Sequence, residues 1–179
     1  DVSVGAYGII NRFLFFFVMI VIGLMQGMQP IVGYNFGAKL YNRAFKALKL
    51  SIMFATFISV IGFLLGEFFP DMITSMFTTD KQLTEIAASG MRIMMMAVPL
   101  LGIQVISTGF FQSIGYVKTA IFLSLLRQLI LIIPALLVFP LFFGLNGIWM
   151  SIPVSDTLAT IISVTILIYN YRQLKKLAN

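Results

Sequence analysis

The sequence predicts an all-α membrane protein, and three observations lead to that fold class. Hydrophobic residues fill 60% of the 179 positions and charged residues only 10%, whereas soluble domains carry about 25% charged residues. The apolar residues form continuous runs of about 20, the helix length that crosses a hydrocarbon core about 30 Å thick. Because these runs lack the apolar–polar alternation of membrane β-strands, we expect helices and not a barrel.

The chain contains five such runs, so we expect five transmembrane helices. Each run is bounded by charged residues or by a turn, such as Phe-Phe-Gly-Leu-Asn-Gly at 142–147. The predicted spans are about 13–34, 50–69, 93–112, 120–140 and 148–171.

Proline lies inside four of the spans, where it removes a helical hydrogen bond and is expected to kink the helix. The four are Pro30, Pro99, Pro134 and Pro153, whereas Pro70 and Pro140 are expected to mark helix ends. Broken helices are typical of transporters, although glycine and proline are also commoner in membrane helices generally.

Lysine and arginine predict the orientation of the spans. One side of the predicted membrane carries Lys81, with Arg12 and Arg92 at span boundaries. The other side carries Lys39, Arg43, Lys46, Lys49, Lys118, Arg172, Lys175 and Lys176. By the positive-inside rule, the segments 36–49 and 113–119 and the C-terminus are cytoplasmic, and residue 1 lies outside. An odd number of spans with an outside start suggests that a preceding helix belongs to the protein.

The segment after the first span is predicted to be a hinge followed by a basic amphipathic stretch. Gly33 and Gly37 free the backbone to turn, and Asn35 can end the helix by bonding freed backbone groups. A structural hinge is favoured there over a ligand contact. In 39–49, lysine and arginine are expected to face anionic headgroups while the apolar residues contact lipid.

Asp156 is the most informative candidate for a functional residue. Ten residues separate it from the turn at Asn146, which places it about 15 Å deep at 1.5 Å per residue. A carboxylate near the middle of a membrane is a functional candidate by default. Arg127 lies nine residues after Lys118, at about 13 Å, so the two depths are compatible. Two interpretations stay open: a static ion pair with Arg127, or a role in ion coupling or cation binding.

Three further residues are candidates for contact with a substrate or coupling ion. Gln104 lies near the middle of the third span and Gln112 two turns later, so each amide either bonds between helices or points into a cleft. Met95 belongs to the methionine-rich stretch 91–99, whose flexible side chains adapt to differently shaped ligands. Because consecutive residues point around a helix, packing and lipid contact are favoured for most of them.

The composition argues against several other classes of protein. The net charge is +6, but the basic residues lie at the ends of apolar runs, without the aromatic-interleaved patch of a nucleic-acid binder. The chain has no histidine and no cysteine, and no paired carboxylates at useful spacing, so neither an enzyme, nor a metal site, nor a cofactor is predicted.

Four segments resemble the C-terminal half of a multidrug and toxic compound extrusion (MATE) transporter of the bacterial drug-efflux branch. They are GLMQGMQPIVGYNFGAKLYNRA (23–44), MFTTDKQLTEIAASGMRIM (76–94), GFFQSIGYVKTAIFLSLLRQ (109–128) and LNGIWMSIPVSD (145–156). The resemblance implies a two-lobe transporter of twelve helices, in which the five spans are helices eight to twelve. Helix seven and the N-terminal lobe would then lie outside this chain.

The resemblance also implies secondary active efflux of amphipathic, often cationic compounds across the bacterial cytoplasmic membrane. The coupling cation would be Na+ or H+. Some relatives carry a coupling carboxylate in the third span, but residues 93–112 contain no acid, which puts a sodium site of that type in doubt. The alternatives are a lipid-linked saccharide flippase of similar architecture, disfavoured because Arg127 is the one deep cation, and a non-transporting scaffold subunit.

Overall fold

A computed structural model describes residues 2–177, and within them the chain is helical with no strand. The helices are α1 (Val2–Gly37), α2 (Tyr41–Phe68), α3 (Pro70–Ser75), α4 (Lys81–Met95), α5 (Val98–Ser113), α6 (Val117–Leu125) and α7 (Ile132–Leu177). A π-helical segment, Leu126–Leu131, joins α6 to α7. The all-α fold class is therefore confirmed. Residue 1 and the C-terminal residues 178–179, whose sides of the membrane were predicted, lie outside the described part of the chain.

Among residues 2–177, three helical stretches are long and apolar enough to cross a membrane, namely Val2–Gly37, Tyr41–Phe68 and Val117–Lys175. A fourth candidate is α4 with α5, which meet at a bend of 51°. The stretch Val117–Lys175 has 59 residues, about 90 Å of helix at 1.5 Å per residue, which is enough for two crossings.

That long stretch is a hairpin and not one rod. Gly144 leaves the helical conformation, with φ 56° and ψ −133°. Arg127 and Asp156, 29 residues apart in sequence, are hydrogen-bonded to each other, whereas a straight helix would separate them by about 44 Å. The structure therefore has five long helical arms: α1, α2, the bent α4–α5 pair, 117–143 and 145–177.

Several predicted breaks are shifted or wrong. Pro140 does not end a helix, because helical structure continues through it and the chain turns at Gly144. The third span bends as expected, but the break precedes Pro99, which lies in the first turn of α5. Pro30 and Pro153 lie inside continuous helix. Membrane helices tolerate proline in this way because neighbouring groups satisfy the freed backbone.

Two clusters of buried side chains hold the arms together. One joins α1, α2, α5, α6 and α7 around Phe110 and Phe111, and the other joins α1, α3, α4 and α7 around Met91 and Trp149. The helices α2 and α5 approach each other closely, because a Cβ on Gly102 would lie 2.7 Å from the carbonyl carbon of Ala55. Only glycine permits that contact between two backbones.

Candidate functional site: an ion pair in an apolar cavity

A cavity of about 490 Å³ opens between the first half of α1, the α4–α5 bend and the α6–α7 hairpin. Its volume falls within the range of about 300–1,000 Å³ that is typical of small-molecule sites. Most of its lining is apolar, and the polar or charged side chains on it are Ser3, Tyr7, Asn11, Arg127, Trp149 and Asp156. Mostly apolar walls with a few polar groups suit an amphipathic ligand.

The charged group of this cavity is a two-bond ion pair. The Nε of Arg127 donates to Oδ1 of Asp156 at 2.7 Å, and Nη2 donates to Oδ2 at 3.3 Å. The Asp156 side chain is 7% exposed and that of Arg127 is 27% exposed. The Asp156 side chain is thus enclosed by protein, while the Arg127 side chain is partly exposed and lines the cavity.

The local helix geometry places Arg127 in this position. Arg127 belongs to the π-helical segment, where the N–H of Ile132 donates to the carbonyl of Arg127, five residues back instead of four. Pro134 follows closely and has no N–H with which to continue the normal hydrogen-bond ladder. A π-helical segment shifts the residues around the helix axis and is frequent at functional sites. The position of Arg127 in the pair therefore depends on the π-helical irregularity of the backbone.

Asp156 lies on a regular part of α7. The hydroxyl of Thr160 donates to the backbone carbonyl of Asp156 at 2.7 Å, and the hydroxyl of Thr157 donates to the carbonyl of Pro153 at 2.7 Å. Pro153 lies one turn before Asp156 and does not interrupt the helix. The carboxylate is consequently held on a rigid element, whereas its partner is held on an irregular one.

Aromatic and methionine side chains form part of the cavity wall. The rings of Tyr7 and Trp149 stack with centroids 6.3 Å apart, and Phe15 and Met94 also line the space. Flat rings and a flexible thioether fit ligands of varied shape. Of the methionine-rich stretch, Met94 lines the cavity, whereas the predicted Met95 does not.

Met95 and the two glutamines lie elsewhere. Met95 is 1% exposed and packs against Gly66, where a Cβ would lie 2.6 Å from its Cγ. Gln104 is 3% exposed, and its Oε1 has no hydrogen-bond partner among the described residues. Gln112 accepts a hydrogen bond from Nε2 of Gln29 at 2.9 Å, between α5 and α1. The three are packing or interhelical residues in this structure, away from the cavity.

The predicted hinge is partly different from the expectation. Gly33 lies inside α1, where a Cβ would be 3.3 Å from the carbonyl oxygen of Ser113, and Gly37 is the last residue of the helix. The left-handed turn is made by Lys39, with φ 60°. Asn35 also lies inside α1 and does not end it; its Nδ2 donates to the carbonyl of Ile31 at 2.8 Å, one turn back within the helix. Gly33 therefore serves close packing and not chain reversal.

Four polar lining residues were not predicted from the sequence: Ser3, Tyr7, Asn11 and Trp149. The first three precede residue 13, where the first span was expected to begin. The signal was present, since Tyr7, Asn11, Leu14 and Val18 recur at helical spacing along one face. Because this stretch also contains polar residues, it was not included in the first apolar run, although α1 begins at Val2.

Comparison with known proteins finds similar sequences and similar folds. The MatE family model matches residues 1–137. A multidrug export protein, MepA of Staphylococcus aureus, is 30% identical over 168 residues, which cover 92% of this chain and 36% of that protein. MepA of Staphylococcus haemolyticus is 27% identical over 170 residues, with coverage of 95% and 37%. The chain thus spans about a third of the length of these curated relatives.

Solved structures show the same fold. The MATE multidrug transporter DinF-BH, solved in complex with a ligand, is 39% identical with a TM-score of 0.85, over 94% of this chain and 37% of that one. A MATE protein in a bent conformation gives a TM-score of 0.91 at 18% identity, over 99% of this chain and 40% of that one. At that lower identity the likeness concerns the fold alone.

Proposed function

This chain belongs to the MatE family, and from that premise we propose that it is part of the C-terminal lobe of a secondary active multidrug exporter. The complete transporter would move amphipathic, often cationic compounds out across the bacterial cytoplasmic membrane by alternating access. Entry of Na+ or H+ would drive the cycle, with no cofactor. An N-terminal lobe and a seventh helix, outside this chain, would complete the central cleft.

One observation carries the proposal: the Arg127–Asp156 pair lies at the wall of an apolar, aromatic-lined cavity inside a membrane helix bundle. Multidrug export is what the curated relatives are named for. A single carboxylate in apolar surroundings must be neutralised, because an isolated charge there is costly. The neutralising positive charge can come from Arg127, a proton, a sodium ion or a cationic substrate.

We infer an exchange mechanism from this charge balance. When a proton or sodium ion neutralises Asp156, the guanidinium of Arg127 loses its partner and turns its charge toward the cavity. A cationic compound in the cavity is then repelled. When the coupling ion leaves, Arg127 returns to Asp156 and the cavity becomes less positive. The partial exposure of Arg127 (27%) supports this role, since a guanidinium with access to the cavity can be solvated when it is unpaired.

The cavity favours export over the flippase alternative. A site for a lipid-linked pyrophosphate would require several cations, and among the lining residues of this cavity Arg127 is the single basic side chain. Moreover, Asp156 neutralises it.

Efflux of ethidium from cells that make the full-length protein tests the proposal. We expect Asp156→Asn to abolish efflux while the protein remains folded and inserted, because the amide keeps the shape but cannot ionise. Asp71→Asn is the matched control, since Asp71 is exposed and lies 3.9 Å from Arg92 in a surface pair, and such pairs contribute little. Normal efflux by Asp156→Asn would contradict the proposed exchange.

A further inference from the structure

A second cavity, separate from the ion-pair site, lies between α1 and α2 near the turn that joins them. Its volume is about 760 Å³, and it is open along one side. The apolar part is lined by Ile20, Gly23, Gly27, Ile31 and Leu50, and the end nearest the turn by Arg43 and Lys46. We call this space the α1–α2 groove.

The floor of the α1–α2 groove is empty because of two glycines. A Cβ built on Gly23 or Gly27 would meet no atom within 4 Å. Ile20 and Ile31, which border the floor, are 38% and 53% exposed. An apolar trough with exposed walls remains along this face of α1, and it is costly in water but suited to a hydrocarbon chain.

The length of the trough corresponds to one leaflet of a bilayer. Ile20 and Ile31 are eleven residues apart on a continuous helix, which is about 16 Å at 1.5 Å per residue. Half of a hydrocarbon core about 30 Å thick is about 15 Å. The trough therefore has the length of an acyl chain in one leaflet, and it begins at Ile31, about 9 Å along α1 from the end of that helix at Gly37.

The charge at the mouth of the groove selects the headgroup. Arg43 and Lys46 are one turn apart on α2, both are exposed, and neither forms a salt bridge with a described residue. The lining contains no acidic side chain. Two uncompensated cations above an apolar trough match a phosphodiester above an acyl chain, because guanidinium and ammonium groups donate strongly to phosphate oxygens.

We propose that the α1–α2 groove is a binding site for one anionic glycerophospholipid. The phosphodiester lies between Arg43 and Lys46, and one acyl chain follows Gly23 and Gly27 toward the middle of the membrane. This lipid belongs to the leaflet on the side of the α1–α2 turn. The inference goes beyond the proposed export activity and does not depend on it.

The same helix end offers a matched control. Lys39 and Lys49 are also exposed basic residues close to the turn, but neither lines the groove. Changing Lys39 and Lys49 to glutamine therefore removes the same charge as changing Arg43 and Lys46. A diffuse attraction to anionic lipid would respond equally to both pairs, whereas a built site would respond to one.

Photo-crosslinking of the full-length protein in nanodiscs tests this site. The nanodiscs contain phosphatidylcholine with a small fraction of phosphatidylglycerol that carries a photoreactive acyl chain, and labelled peptides are identified by mass spectrometry. We expect labelling of residues 20–31 and 43–51, and unlabelled phosphatidylglycerol should compete while phosphatidylcholine should not. Arg43→Gln with Lys46→Gln should weaken competition about 30-fold, from the typical contribution of two basic residues at a lipid surface. Lys39→Gln with Lys49→Gln should weaken it clearly less, because neither side chain lines the groove.

The shape of the site can be tested without changing its charge. Gly27→Leu places a side chain in the trough and should abolish labelling of 20–31, whereas Gly8→Leu, at another helical glycine with open space around it, should not. Equal losses from the two double charge variants would overturn the proposal. So would labelling confined to other segments, or an unlabelled groove occupied by another helix of the full-length protein or by a second copy.

Discussion

The helix α5 and the arm 117–143 both belong to the helical arms of the bundle, but they are held in different ways. In α5, nine of 16 residues are buried, and Gly102 lets it pack directly on the backbone of α2. In the arm 117–143, three of 27 residues are buried, namely Ala120, Leu123 and Leu126. The specific polar contact of that arm is the pair between Arg127 and Asp156.

The difference shows which part of the bundle provides stability and which part can move. Close packing is nearly all-or-none, because a well-packed interface has few alternative arrangements. The arm 117–143 buries few residues and carries a π-helical segment and Pro134 beside its ion pair, so breaking that pair should release it more easily than α5. We therefore assign stability to the α2–α5 contact and conformational change to the arm 117–143.

Breaking the ion pair should have the largest effect on stability, and the effect should differ between the two partners. Arg127→Gln leaves a carboxylate that is 7% exposed without its partner, whereas Asp156→Asn leaves a guanidinium that is 27% exposed. Loss of one partner of a buried pair costs roughly 3–5 kcal/mol, and we expect Arg127→Gln to approach this range. Asp156→Asn should cost clearly less. Thermal unfolding of the full-length protein in detergent measures both, and equal losses would argue that the arm is held by something other than this pair.

A second prediction concerns the packed region. Gly102→Val should destabilise the protein by about 1–3 kcal/mol or more, the usual cost of overpacking, because its Cβ would be 2.7 Å from the backbone of Ala55. Gly8→Val is the control, since nothing lies within 4 Å of a Cβ there. A folded Gly102→Val protein with an unchanged melting temperature would contradict the division between the two regions.

The smallest effect is expected at the exposed polar contact near the C-terminal end of α5. Gln112→Leu removes the hydrogen bond to Gln29, which joins α5 to α1 at 2.9 Å. Interhelical hydrogen bonds in membranes contribute about 0.6 kcal/mol on average, and the contact is exposed. We expect a loss of that order and no change in ethidium efflux. A strong loss of efflux without unfolding would instead place Gln112 in the transport machinery.

The all-helical class was predictable from the sequence, because the composition and the length of the apolar runs exclude other folds in lipid. Depth counting also put Arg127 and Asp156 at compatible levels, since the rise per residue of a helix is constant. An ion pair between them was one of the two interpretations that stayed open, and the structure shows that pair with its two-bond geometry. The π-helical segment that places Arg127 has no sequence signature beyond Pro134.

The remaining misses have local physical causes. Met94 and Met95 are equivalent in composition, and only the rotation of α4 decides which one lines the cavity. The turn after α1 was assigned to glycines, but Lys39 adopts the left-handed conformation, which costs a non-glycine residue about 1–2 kcal/mol. Tertiary contacts determine which side of a helix faces a cavity and which residue adopts a strained turn conformation. A single sequence does not contain these contacts.

The most direct test of the central claim is the ethidium efflux activity of the double variant Asp156→Asn with Arg127→Gln in the full-length protein. Removing both charges leaves no unpaired ion, so the double variant should fold better than Arg127→Gln alone. Asp156 is proposed to exchange its partner with the coupling ion, and we therefore predict a folded protein without efflux. Recovery of efflux in the double variant would show that Asp156 serves only to neutralise Arg127, and would contradict the account.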